Sequence, residues 1–203
     1  MESIVFDIDD ILWPLNKRVA KITGIDYSKL QTFFVKNNTL LSDYEKDLVF
    51  KAYFDPNIFK DIEWYHGAEK IMELEKYGVN VYINSNCGNH DIAKLKYDQI
   101  HKLIDIPDKQ LILNILDASG KDKKKEIGDN VWAFIDDSPH NLLSAKAKYL
   151  YTLNTLWNTN VPELDKLNIK RFDTLEEIID DLIKELSMEQ EYKEGLYDDI
   201  ELD

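Results

Sequence analysis

Apolar residues fall along this chain in two alternating rhythms. Short apolar runs, "SIVFDI" at 3–8, "VNVYIN" at 79–84, "QLILNIL" at 110–116 and "NVWAFI" at 130–135, have the length and β-branched content of buried strands. Between them lie segments with apolar positions three and four apart, "HGAEKIMELEKYG" at 66–78 and "HDIAKLKYDQIHKLI" at 90–104, which predict helices. "AKYLYTLN" at 147–154 adds a further element, and a last helix is expected from about Asp173. Strands separated by helices predict a three-layer α/β fold, a parallel sheet covered on both faces, with ligands at the carboxyl ends of the strands. Residues 13–60 break the alternation. They read as mostly helical, with Ser42 and Glu45 forming a capping box, and are expected to be a helical insertion after the first strand.

Composition narrows the picture. At 203 residues and 44% hydrophobic, the chain suffices for one substantial core, or for a core carrying an insertion. A formal net charge of −14 would repel a phosphate backbone, which argues against a nucleic-acid polymer as partner. The single cysteine, Cys87, fits a reducing compartment, and no apolar run approaches the roughly 20 residues of a membrane span, so a cytoplasmic chain without membrane attachment is expected. The last stretch, "MEQEYKEGLYDDIELD" at 188–203, is acidic and poor in core residues, and is expected to fray or lie on the surface.

The chemistry gathers where strands end. The first strand runs into Asp7, Asp9 and Asp10, the second into "INSN" with Ser85 and Asn86, and the "NVWAFI" strand into "DDSPHN" with Asp136 and Asp137. Taken singly, each group is ordinary as a helix cap or turn residue. Their order along the chain is less ordinary. If the strands are neighbours, Asp7, Asp9, Asp136 and Asp137 converge, and four carboxylates cannot share a site without a cation. A hard ion with oxygen ligands, Mg²⁺, suits such a site and leaves positions for a substrate phosphate. The lysines of "SGKDKKKEIGDN" at 119–130 read mostly as a solvated loop or helix start; Lys123 is the one expected to reach the pocket, with Lys121 or Lys124 as alternatives. Trp13, Phe50, Phe54 and Phe59 read first as core of the insertion, and Trp157 is open. His66, His90, His101 and His140 lack metal-ligand spacing.

These residues, in this order, resemble the haloacid dehalogenase-like superfamily of aspartate-nucleophile phosphatases, with "VFDIDD", "VYINSN", the lysine loop and "FIDD" as its four motifs. The likeness covers most of residues 3–160. Within it the chain is most similar to the 5'(3')-deoxyribonucleotidases, through "DPNIFKDIEWYHGAEKIMELEKYG", "KDKK" before "IGDNVWAFIDDSPHNL", and "LNTLWNTN" after it. Asp10 and Ile11 stand where many members have Gly-Thr or Gly-Val, and Asn86 and Cys87 where the nucleotidases tend to have proline. The resemblance implies a core of residues 1–12 and 61–187, a helical cap at 13–60 and an acidic tail at 188–203. It implies Asp7 as nucleophile, Asp9 as general acid and base, and Ser85, Asn86 and Lys123 as phosphate-binding groups. Mg²⁺ would be held by the Asp7 carboxylate, the Asp9 carbonyl and Asp137, with Asp136 supporting. The expected substrate is a small phosphomonoester, foremost a (deoxy)ribonucleoside monophosphate, and a homodimer is compatible with it. Another small phosphometabolite is the alternative within this class, and a phospho-accepting receiver-like switch the alternative outside it.

Overall fold

A computed structural model describes residues 2–115 and 130–198. Its centre is a six-stranded sheet in the order β3-β2-β1-β4-β5-β6, with every pairing parallel. The strands are β1 (Ser3–Phe6), β2 (Asn80–Cys87), β3 (Leu111–Ile115), β4 (Val131–Ile135), β5 (Ala147–Leu153) and β6 (Ile169–Phe172). The apolar runs marked β1 to β4, while β6 was not foreseen; β4 is buried at every position and β1 at all but its first, as the middle of a sheet covered on both faces requires. On one face Val5, Val131 and Phe134 pack with Leu142 and Leu164. On the other, Ile4, Phe6 and Ile135 join the larger core that includes Ile178, Ile179 and Leu182.

Among the described residues there are five α-helices: α1 (Leu15–Thr23), α2 (Asp43–Tyr53), α3 (His90–Leu103), α4 (Pro139–Ser144) and α5 (Leu175–Asp198). Each of α2, α3 and α4 begins where a side chain takes an otherwise orphaned backbone N–H: Ser42 from Glu45, Asn89 from Ile92, Ser138 from Asn141. The capping box at Ser42 and Glu45 is present in full. The segment Ala68–Tyr77 is helical as its periodicity predicts, but wound as a 3₁₀ helix between two left-handed glycines, Gly67 and Gly78. Between β1 and β2 the chain adds α1, α2 and three short 3₁₀ turns. The acidic segment from 188, expected to fray or lie on the surface, is helical to Asp198 as the end of α5 and mostly exposed over 188–194, while Glu189 accepts a hydrogen bond from Trp132 Nε1 at 3.0 Å.

This topology positions the site. β1 lies between β2 and β4, with Phe6 level with Ile83 on one side and Ile135 on the other. Residues just past those levels therefore meet at one edge of the sheet.

Candidate active site

Asp7 is the first residue beyond β1, and its N–H donates to Ile135 O at 2.8 Å, which sets it beside Asp136. The chain then turns back on itself: Leu12 N–H donates to Ile8 O at 2.8 Å and Asp10 N–H to Trp13 O at 2.8 Å. Asp10 takes the left-handed conformation (φ 56°) that this turn needs, a region Asp tolerates better than most residues. Its carboxyl group caps α1, accepting from Asn16 N at 3.0 Å and Asn16 Nδ2 at 2.7 Å. Tyr53 OH donates in turn to Asn16 Oδ1, tying α2 to the same turn. Burial pushes the Asp10 carboxyl up to about 8 against the opposing Asn16 hydrogen bonds, with the Asp9 and Asp7 charges adding to the rise.

Asp7, Asp136 and Asp137 are all buried, and each offers a carboxylate oxygen within 4.8 Å of the others. Asp136 is oriented by Ser138 N (2.8 Å) and Asn141 Nδ2 (3.0 Å), as an acid closing the turn into α4. Asp137 is oriented by the buried indole of Trp157, whose Nε1 donates to Oδ2 at 2.8 Å, while Asn158 Nδ2 holds the Asp137 carbonyl at 3.2 Å. Three buried carboxylates at this spacing repel one another unless a cation or protons intervene. An all-oxygen set of this size fits Mg²⁺, with Asp7 and Asp137 facing the cleft and Asp136 behind them.

The opposite flank carries its own cation. Ser85 and Asn86 close β2, two and three residues past the level of Phe6. Lys96, on α3, reaches them: its Nζ donates to Asp9 Oδ2 at 2.5 Å, Ser85 Oγ at 3.0 Å and Asn86 O at 3.1 Å. Burial disfavours the Lys96 ammonium, but the neighbouring Asp9 and Asp7 charges and the Asp9 hydrogen bond favour it and hold the group above the usual lysine range. Asp9 Oδ1 accepts from Trp13 Nε1 at 2.9 Å, so both of its oxygens are engaged. Sequence reasoning missed Lys96. The signal was its place midway between Ile92 and Ile100, a charge in the middle of a buried stripe.

Asp7, Asp9, Asp10, Ser85, Asn86 and Asp137 thus line one cleft of about 180 Å³. Lys123, Lys121 and Lys124 lie outside the described residues. The aromatic residues divide: Trp13 and Phe59 are core, with ring centroids 5.8 Å apart, whereas Phe50 and Phe54 stay exposed. The exposed pair lines a second cavity of about 370 Å³ that shares Asp9, Tyr53 and Asn86 with the cleft. Gly88 makes that wall possible, since a Cβ there would sit 2.7 Å from the Phe54 ring. Among the described residues no histidine joins a cluster that could hold a metal, and no helix is long and apolar enough to cross a membrane.

No family model matches the chain, and no curated protein does. Solved structures match it in fold. One from Clostridium difficile, assigned as a phosphatase, is 16% identical, with 89% of this chain and 98% of that one aligned at a TM-score of 0.56. A haloacid dehalogenase-like hydrolase from Streptococcus pneumoniae is 12% identical over 88% of this chain and 97% of its own, at 0.54. A hydrolase from Pseudomonas syringae is 17% identical over 93% and 99%, at 0.53. The likeness is one of fold, a parallel α/β sheet with flanking helices shared with these proteins.

Proposed function

We propose that the chain is a magnesium-dependent phosphomonoesterase that works through an aspartyl-phosphate on Asp7. The observation that carries this reading is the convergence of Asp7, Asp9, Ser85, Asn86 and Asp137 on one cleft at the carboxyl edge of the sheet. Asp7, Asp137 and the Asp9 carbonyl would hold the ion, with Asp136 supporting; when bound, it neutralises charge on the phosphoryl oxygens and offsets the crowding of the acids. An Asp7 carboxylate oxygen attacks phosphorus as the bond to the alcohol breaks. Asp9 gives a proton to the departing alcohol oxygen. Water then attacks the aspartyl-phosphate and passes a proton to Asp9, which frees inorganic phosphate and restores Asp7. Ser85 Oγ–H and the Asn86 amide donate to the phosphoryl oxygens, and Lys123 would add positive charge to them.

The alcohol is expected to be a nucleoside, making the substrate a (deoxy)ribonucleoside monophosphate. The support is the cavity next to Asp9, walled by Phe33, Phe50 and Phe54, because a base can stack on such rings whatever its identity. A phospho-accepting switch would use similar groups, but its sheet order is 2-1-3-4-5 rather than the 3-2-1-4-5-6 found here. The test is hydrolysis of p-nitrophenyl phosphate with and without Mg²⁺, followed by a panel of nucleoside monophosphates and sugar phosphates. Metal-dependent turnover with nucleotides ahead of sugar phosphates is expected; turnover of sugar phosphates alone would remove the nucleotide, and none at all would remove the phosphatase.

A further inference from the structure

Lys96 interrupts the stripe on which α3 packs, between Ile92 and Ile100, and its side chain is only 1% exposed. An aliphatic residue would complete that stripe, and folds commonly tolerate or prefer apolar replacements for buried ion pairs. Packing alone therefore gives no reason for an ammonium here. Its contacts do. An ammonium has three N–H donors and no acceptor, and all three are used inside the protein, on Asp9 Oδ2, Ser85 Oγ and Asn86 O. The Phe59 ring, 5.5 Å from Nζ, covers a further side. None of the three donors can meet a phosphoryl oxygen without leaving one of these partners.

What the contacts accomplish is orientation. Because Lys96 can only donate, Ser85 receives it on a lone pair and keeps its own O–H for another acceptor in the cleft it lines. Asp9 is held at both oxygens, by Trp13 on one and Lys96 on the other. With Trp13 alone, the carboxylate could swing about a single hydrogen bond. Resting on the phosphomonoesterase reading above, we propose that Lys96 is a positioning residue: it fixes the Asp9 carboxylate that serves the leaving oxygen, and does not itself neutralise the transferring group.

The two roles separate by leaving group. p-Nitrophenolate departs without a proton, whereas the sugar oxygen of a nucleoside 5'-monophosphate needs one from Asp9. Lys96→Met should lower kcat/KM for the nucleotide about 100-fold, the scale of a misplaced catalytic group, and for p-nitrophenyl phosphate by less than about tenfold. Equal losses on both esters would overturn the proposal. Should Lys96→Met alone not fold, Asp9→Asn/Lys96→Met removes both charges together and leaves neither buried alone. Compared with Asp9→Asn, the double variant should show the same kcat/KM on both esters, and a further loss would mean that Lys96 acts independently of Asp9. A wild-type chain inert toward both esters with Mg²⁺ present would overturn the phosphomonoesterase reading itself.

Discussion

The two flanks of the cleft handle negative charge in different ways. Over β1 and β4, Asp7, Asp136 and Asp137 crowd within 4.8 Å, and neutral donors, Ser138 N, Asn141 Nδ2 and Trp157 Nε1, help to orient the latter two. Neutral donors fix the direction of a carboxylate without cancelling its charge. Over β2 and α3, by contrast, Asp9 meets an ammonium at 2.5 Å. The Asp9 charge is met by an ammonium from α3, whereas the three crowded acids are the set that would hold the proposed Mg²⁺. The sharpest way to break this contrast is Asp7→Asn. It should abolish steady-state turnover, by about 10⁴-fold or more, as loss of a covalent nucleophile does. Turnover of p-nitrophenyl phosphate at the wild-type rate would move the nucleophile elsewhere.

Next comes the ion. A chelator should stop turnover, and saturating Mg²⁺ should raise the melting temperature of the metal-free chain: at a hundredfold excess over Kd the gain is about 2.7 kcal/mol. For a chain of this length, that is roughly 5–10 °C. Asp137→Asn should lose most of the shift, because it removes an anionic ligand from the acid flank and leaves the Lys96 flank untouched. A melting curve indifferent to Mg²⁺, in the wild type or equally in both, would make the two flanks alike.

The contrast also explains what the amino-acid pattern disclosed. The acid flank was legible because its residues sit at strand ends, and strand ends can be read from short apolar runs followed by Asp7 and by Asp136 and Asp137. A parallel sheet then brings them together by topology alone. The lysine flank was hidden, because Lys96 belongs to a helix whose other lysines, Lys94 and Lys102, are not buried, and only the approach of β2 makes one of them internal. Trp157 was open for a similar reason: it follows β5 in an irregular segment, 20 residues from the Asp137 it serves. The end of α5 resisted too, since Glu189 is an ordinary surface acid until Trp132 and Lys148 reach it from β4 and β5.

Trp157 offers a gentler way to sharpen the comparison. Trp157→Phe keeps the ring but deletes the 2.8 Å hydrogen bond that aims Asp137. Groups behind a metal ligand typically contribute 10- to 100-fold in affinity. Mg²⁺ binding followed by calorimetry should weaken by that factor, with little change in kcat at saturating metal. Trp13→Phe makes the matching deletion at Asp9 and should leave Mg²⁺ affinity nearly unchanged.

Asp10 marks another way of handling an acid, distinct from the ammonium at Asp9, namely a proton. Burial raises its pKa from 3.8 to about 8, so the folded chain holds that proton more tightly than the unfolded one. The resulting stabilisation is complete below the unfolded value and is lost as pH rises through about 8. In Mg²⁺-free buffer, stability should therefore fall between pH 5 and 8, by up to about 1.4 kcal/mol per pH unit from this group. Asp10→Asn keeps an oxygen to accept from Asn16 N and tolerates the left-handed backbone, so it should flatten the curve by a few degrees of Tm per pH unit. The difference between the two melting curves isolates Asp10 from the other titrating groups. Parallel curves would mean that Asp10 is ionised throughout.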